Sequence, residues 1–251
     1  MRLLVCALIL AWPLVAAGQV NIERIRVTNQ EGLSGSVGGD VEFRSGNAEL
    51  FEVGATARVD YGMARSLLFF VGHLRYAERK GTTFRNSAFG HLRFTRDVTD
   101  RLVGEVFTQA ERDGFTLLQI RLLAGTGLRF RYVRTEAFGV FQGTTLMVEH
   151  EQLEADRVVV HPAELTVLRW SNYVNVRLRL NESTRLVTTV YAQPRLDAFA
   201  DVRLLNDTLL EVGLTKHVAL TTGFNLRYDS RPPDDIADLD VALRNGVRVR
   251  W

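Results

Sequence analysis

Asn245-Gly246-Val247-Arg248-Val249-Arg250-Trp251, the last seven residues, decide the fold. Read as an extended strand, they put Val247, Val249 and Trp251 on one side and Gly246, Arg248 and Arg250 on the other. A strand with one apolar face and one strongly charged face has to satisfy two different solvents. A barrel wall in a bilayer is built this way, with lipid on one side and a wet lumen on the other.

The opposite end of the chain agrees. Met1-Arg2 supplies a positive start, Leu3 to Val15 an almost unbroken apolar run, and Ala16, Ala17 and Gly18 a small-residue cleavage site before Gln19. The run is too short to span a bilayer as a helix. Residues 1–18 are therefore expected to be a removable signal peptide, 19–31 a short periplasmic lead-in and 32–251 the barrel. The one cysteine, Cys6, would leave with the signal, so neither a disulfide framework nor a thiolate metal site is expected. With export in place, Asn245, Gly246, Val249 and Trp251 resemble the C-terminal β-signal read by the outer-membrane assembly machinery of Gram-negative bacteria. The expected location is the cell outer membrane. The expected partners are the export translocon, the assembly machinery, outer-membrane lipid and lipopolysaccharide.

Composition removes the competing classes. No later apolar stretch approaches the ~20 residues a membrane helix needs. With 31 Lys+Arg against 29 Asp+Glu, the net charge of +2 gives no case for nucleic acid. Lys80 and Lys216 are the only lysines; every other basic residue is arginine. Two explanations stay open: a GC-rich genome, or a preference for the planar, multi-donor guanidinium where charges pair in a confined lumen.

Period-two alternation then recurs along the chain. Leu33, Val37, Val41 and Phe43 share a face opposite Ser34, Ser36, Asp40, Glu42 and Arg44. Val53, Ala55, Ala57, Val59 and Tyr61 oppose Glu52, Thr56, Arg58 and Asp60. Leu118, Ile120, Leu122, Leu128, Phe130 and Tyr132 oppose Gln119, Arg121, Arg129 and Arg131. Val174, Val176 and Leu178 oppose Tyr173, Asn175, Arg177 and Arg179. A soluble periplasmic β-protein would also alternate, but its strands centre on about 5–6 residues. The segments here are longer and carry aromatics near their ends, as interfacial girdles require. An all-β, transmembrane up-and-down antiparallel β-barrel follows. Twelve strands are expected at 32–45, 48–61, 66–79, 85–97, 101–112, 115–133, 136–149, 163–180, 184–196, 198–215, 218–230 and 239–251, with ten or fourteen as alternatives. Every second connection is short, and the two longest, Glu149–Pro162 and Ser230–Leu239, fall on the other side. That asymmetry is expected of periplasmic turns and external loops.

Tyr228-Asp229-Ser230-Arg231-Pro232-Pro233, followed by an acidic loop and a final strand ending in an aromatic, resembles the C-terminus of the salt-induced outer-membrane proteins. These are YdiY-like barrels grouped as a domain of unknown function. Gly46-Asn47, Tyr191-Ala192-Gln193-Pro194-Arg195-Leu196, and Leu210-Glu211-Val212 with Leu214-Thr215-Lys216 fit the same family. The resemblance runs from about Gly32 to Trp251. It implies an outer-membrane barrel and brings no catalytic residues with it.

Chemistry must then come from the lumen or the loops. Nucleophilic catalysis needs serine and histidine in hydrogen-bond reach with a third group orienting the ring. His73, His91, His150, His161 and His217 form no His-x-Ser pair. His73 and His91 fall on the polar faces of neighbouring strands, with Ser87 on the face of His91, and are read as lumen histidines in a hydrogen-bonded network. His150 and His161 flank the longest loop beside Glu149, Glu151 and Glu154, at a spacing that matches no metal-ligand pattern. Asp234, Asp235, Asp238 and Asp240 suggest Ca²⁺ or a divalent bridge to lipopolysaccharide, but the ordinary reading is an exposed acidic loop. No metal and no cofactor is expected.

The remaining constellation is inward arginine: Arg58, Arg75, Arg93, Arg121, Arg129, Arg131, Arg169, Arg177, Arg179, Arg195, Arg203, Arg227, Arg244, Arg248 and Arg250. The acids assigned inward are fewer: Asp40, Glu42, Glu52, Asp60, Glu105, Glu211, Asp229 and Asp240. An open lumen so lined favours anions; a narrow one lets the charges pair and plug it. Twelve strands lie between side-chain-filled barrels and aqueous porins. The expectation is a non-enzymatic barrel, either a narrow pore for small, anionic solutes or a structural element of the envelope. The alternative is a phospholipid or lipid A hydrolase with an unidentified site.

Overall fold

The computed structural model describes residues 31–44, 50–79, 81–215 and 218–249. Within them the chain forms twelve strands: β1 (Gly32–Arg44), β2 (Leu50–Met63), β3 (Ser66–Arg79), β4 (Thr82–Asp97), β5 (Leu102–Asp113), β6 (Leu118–Arg134), β7 (Phe138–Leu153), β8 (Glu164–Arg179), β9 (Thr184–Arg195), β10 (Ala198–Gly213), β11 (Val218–Asp229) and β12 (Leu239–Val249). All belong to one antiparallel sheet in which each strand pairs with the next in sequence. The shortest has 11 residues and the longest 17, enough to cross a bilayer at a tilt, which takes about 9–11. The sheet wraps into a barrel whose interior joins strands far apart in order: Tyr173 on β8 donates to Glu105 on β5 at 3.3 Å, although β6 and β7 stand between them. The expected signal peptide, the lead-in up to Gln30, Gly46-Asn47, Lys216, His217, Arg250 and Trp251 lie outside the described residues. Asn245, Gly246 and Val249 of the expected assembly signal lie on β12, opposite Thr222, Thr221 and Val218 of β11.

The core is inverted relative to a soluble protein. Outward positions are apolar and exposed: Val37 (87%), Leu74, Val106, Leu122, Leu146, Leu168, Val174 and Leu243 among them. Inward positions are buried and mix polar and charged side chains, from Arg58 on β2 to Glu211 on β10, with small apolar clusters such as Phe107, Leu123 and Met147. An apolar surface of this extent belongs against lipid. Aromatics cluster at its two edges. Phe51 lies tilted against Tyr76 at the end of the long loops, and Phe130 stacks near Tyr132 at the end of the short turns.

The short turns are held by one device. Thr99, Thr135 and Thr215 hydroxyls and the Asn181 amide oxygen accept backbone N–H groups from the strand that follows, at 2.8–3.0 Å. These are the local side-chain turns that Thr and Asn favour. The long loops, by contrast, are held by each other. One carboxylate oxygen of Asp234, in the β11–β12 loop, accepts from Val159 N (2.5 Å), Val160 N (2.8 Å) and His161 N (3.2 Å) of the β7–β8 loop. Three successive amides converging on one oxygen form an anion nest. Asp234 is thus a latch between loops, in place of the solvated or cation-binding residue that the acidic run suggests.

Two expected faces are corrected. A bulge at the start of β6 shifts its register against both neighbours, so Leu118 points inward and is buried while Gln119 is exposed. An extra residue in a strand reverses the parity of everything beyond it. Second, β7 continues to Leu153. Glu149 and Glu151 therefore belong to the wall and point into the lumen, 2% and 1% exposed, and are not part of the loop.

Two measurements test this architecture. Val106→Arg, in the middle of the outward face of β5, is expected to lower the unfolding free energy in lipid by about 2–4 kcal/mol. A soluble protein would accept arginine at so exposed a site, so an unchanged urea midpoint in vesicles rejects the lipid face. For the latch, the backbone donors, that of Val159 foremost, hold Asp234 below the usual carboxylate range. A lowered pKa means the latch is intact above that range and is lost as pH falls through the lower folded value. Amide exchange at Val159 and Val160 should be protected at neutral pH, accelerate only in acid below the usual carboxylate range, and be fast at every pH in Asp234→Ala. Equal protection in the wild type and this variant rejects the latch.

Candidate functional site

The lumen divides into three levels, set by which inward residues the twelve registers bring together. Near the loop end, Arg203 on β10 reaches across to β7 and sideways to β11. Its Nη1 bonds Glu149, its Nη2 lies 3.1 Å from Glu151 and its Nε donates to Asp229 at 2.7 Å. Arg121 on β6 meets the same two glutamates, Glu151 at 2.5 Å and Glu149 at 3.4 Å. Arg169 on β8 bonds Glu149 at 2.6 Å and Asp201 at 3.0 Å. Five strands thus meet in one ion-paired knot. Because β8 and β9 separate β7 from β10, the Arg203–Glu149 pair is a chord through the barrel and not a rung along its wall.

Above the knot lies a cavity of about 110 Å³. Its floor includes Glu111, Arg203 and Arg227, and its roof is Pro232, Pro233, Ile236 and Ala237 of the β11–β12 loop. The Tyr-Asp-Ser-Arg-Pro-Pro stretch acquires a physical meaning here. Asp229 anchors Arg203 and accepts from Arg231 N at 2.9 Å. The hydroxyl of Ser230 accepts from Val202 N at 2.8 Å, and the two prolines turn the chain over the mouth.

The middle level is aromatic and hydrogen-bonded. Phe89 lies between His73 (centroids 4.7 Å apart) and His91 (6.3 Å), and His91 continues onto Phe107 at 5.5 Å. His73 and His91 are therefore not neighbours, and Phe89 also stands between Ser87 and His91 along β4. Arg93 donates to Nε2 of His91 at 3.3 Å, and Nδ1 of His91 faces Gln109 Oε1 at 3.1 Å. Since Nε2 accepts, Nδ1 carries the proton and donates. Arg93 also pairs with Glu105 at 3.0 Å. Inward glycines make room for the rings. A Cβ on Gly143 would lie 2.0 Å from the Tyr173 ring and one on Gly125 2.7 Å from Phe107.

The turn end is different. A cavity of about 830 Å³ opens there. Arg129 and Arg177 form its floor, both stacked on Phe141 with guanidinium carbons 4.4 and 5.0 Å from the ring centroid. Arg65, Arg131, Arg134, Arg179 and Arg185 stand around it, with Asp97 and Glu136 the only acids of its lining among the described residues. Asp97 pairs with Arg131 at 2.5 Å.

The expected lumen set is thereby placed. Arg58, His91, Arg93 and Arg129 are buried inside. His73, Arg121, Arg131, Arg177 and Arg227 line the interior at intermediate exposure. Arg75 sits at the loop-end rim, paired with Glu52 at 2.7 Å, and Arg179 at the turn-end rim. The side chains of Arg244 and Arg248 are outside the described residues. Glu111, Glu149, Glu151, Asp201 and Asp207 are buried inward acids that the sequence reading missed. Strict parity along β7, counted from Thr145 and Met147, gives the inward side of Glu149 and Glu151. His150 instead bonds Thr166 at 2.8 Å and His161 the Pro162 carbonyl at 2.9 Å. Among the described residues no group of three or more His, Cys, Asp or Glu is arranged to hold a metal.

No curated protein matches the sequence. Among solved structures, the NanC porin is similar at 12% identity and TM-score 0.49, over 86% of this chain and 99% of the porin. The translocator domain of the autotransporter NalP from Neisseria meningitidis is similar at 13% identity and TM-score 0.40, over 89% and 90%. The family model described as protein of unknown function, DUF481, matches residues 37–251, nearly the whole span that the C-terminal motif and its companion stretches mark out, and the chain belongs to that family.

Proposed function

We propose that this is a non-enzymatic barrel of the outer membrane, with its short turns in the periplasm and a narrow, normally occluded lumen that favours small anions. The observation that carries the occlusion is the Arg203 knot. A guanidinium bonded to β7 and β11 from β10 leaves no straight path through that level. The anion preference is supported by the turn-end chamber, where seven arginines face two acids. An outer-membrane site is supported by the apolar belt, the paired aromatic edges and the family. The non-enzymatic reading is supported by how the histidines are used. The Nε2 of His91, the atom a serine would need, is occupied by Arg93, and Phe89 separates Ser87 from the ring.

The test is single-channel recording in a planar bilayer under a salt gradient, with folding checked first by gel mobility. Wild type is expected to carry little steady current. Arg203→Ala alone leaves Glu149 and Glu151 to Arg121 and Arg169 and strips only Asp229 of its guanidinium, so it costs less than the about 3–5 kcal/mol of a buried pair broken outright. The double variant Arg203→Ala/Glu149→Ala removes both sides of the chord and is expected to give discrete, anion-selective steps. A large steady wild-type current overturns the occlusion, and silence from the folded double variant overturns the pore and leaves a structural role. Phospholipid hydrolysis by wild type that is abolished in His91→Ala would overturn the non-enzymatic reading.

A further inference from the structure

We propose that the turn-end chamber is a binding site for an oligoanion, a molecule carrying two or more phosphate or carboxylate groups, admitted from the periplasmic side. This rests on the anion preference proposed above but not on passage through the lumen. Three independent observations converge on it. The first is volume. About 830 Å³ is the size of a small-molecule pocket, whereas the loop-end cavity of about 110 Å³ is not. The second is charge. Seven arginines and two acids line the chamber, so a ligand with a single negative charge would leave most of the field uncompensated.

The third is preorganisation. The register sets Arg129 opposite Gly143 and Arg177 opposite Gly139, on either side of Phe141 along β7. From these flanking positions both guanidiniums lie over the one ring, at 4.4 and 5.0 Å. A guanidinium stacked on a ring has its N–H groups directed around the ring's edge, and less freedom to lose when an oxyanion arrives. Arg177 is held further by its Nε bond to Asn175 Oδ1 at 3.0 Å. The rim arginines Arg134, Arg179 and Arg185 are exposed and can swing to the outer groups of a bound molecule. Fixed arginines beneath and mobile ones above suit a ligand whose charges are spread along its length.

The full barrel, refolded in neutral detergent, is titrated with tripolyphosphate and separately with citrate by isothermal calorimetry at low and high sodium chloride. Saturable binding that weakens with salt is expected. The rim variant Arg134→Gln/Arg179→Gln/Arg185→Gln should bind about tenfold or more weakly, given the size of charge-assisted hydrogen bonds. Arg157→Gln, a loop-end control that pairs with Glu154, should bind as wild type. Competition by dihexanoyl phosphatidic acid would identify a lipid headgroup as the natural source of the phosphate. Failure to compete would identify a soluble oligoanion, and both uphold the site. Absence of binding by the folded wild type at low salt overturns it, as does an equal loss in Arg157→Gln. Calorimetry in detergent and current across a bilayer are separate readouts, so a silent pore that still binds rejects passage and keeps the chamber.

Discussion

A buried guanidinium must find carboxylate or lose several kcal/mol to desolvation, and this need organises the inside of the barrel. A wall that turns apolar side chains to lipid must turn every alternate residue inward, and here those residues include many charged ones among the buried rings and aliphatics. Arg203 meets the demand by reaching two strands at once, Arg121 and Arg169 by sharing Glu149 with it. Arg203 with Glu149 and Glu151 (3.1 Å) and Arg169 with Asp201 (3.0 Å) tie β10 to β7 and β8 across the interior, while the other pairs are rungs between neighbouring strands.

The same need is met unevenly along the axis. At the loop end carboxylates are plentiful, and the arginines are consumed in pairs. In the middle, Arg93 and Glu105 pair, Tyr173 joins them, and rings laid over glycine fill the remaining space. At the turn end the carboxylates among the described lining residues are Asp97 and Glu136 alone. Arg129 and Arg177 turn to the face of Phe141, which offers quadrupole attraction without cancelling their charge. A gradient results, from neutralised to positive, running from the long loops to the short turns.

The sequence made the wall legible and left the plug obscure, for one physical reason. Alternation reports which side of the sheet a residue faces, and it located twelve strands to within a few residues. It does not report what lies across the lumen. Glu149 and Glu151 look like the opening of an acidic loop because His150 between them and Gln152 after them are polar too, so the outward face of β7 loses its apolar signature there. Their inward direction follows only from continuing the parity of Thr145 and Met147 past that point. Leu118 and Gln119 failed the other way: a single bulge reversed a pattern that looked regular. Asp234 gave no signal at all. Its three backbone donors come from residues more than seventy positions earlier, and an amide nest depends on backbone conformation that side-chain identity does not encode.

An ionic plug differs from an apolar one in what happens when water reaches it. Apolar side chains of similar volume would close the lumen at least as stably, since buried ion pairs seldom add net stability over well-packed hydrophobic replacements. They would not part again, because exposing them to water costs free energy in proportion to area. Arg203, Glu149 and Glu151 lose little when water replaces each partner, provided both sides are hydrated together. The route for that water is the small cavity above them, roofed by Pro232, Pro233 and Ile236. Asp234 ties this roof to the neighbouring loop. An opening at this end would then begin where water already reaches, at Arg203 and Asp229, whose side chains are 12% and 23% exposed, and the chord from Arg203 to Glu149 would part before the positive chamber below is joined to the outside.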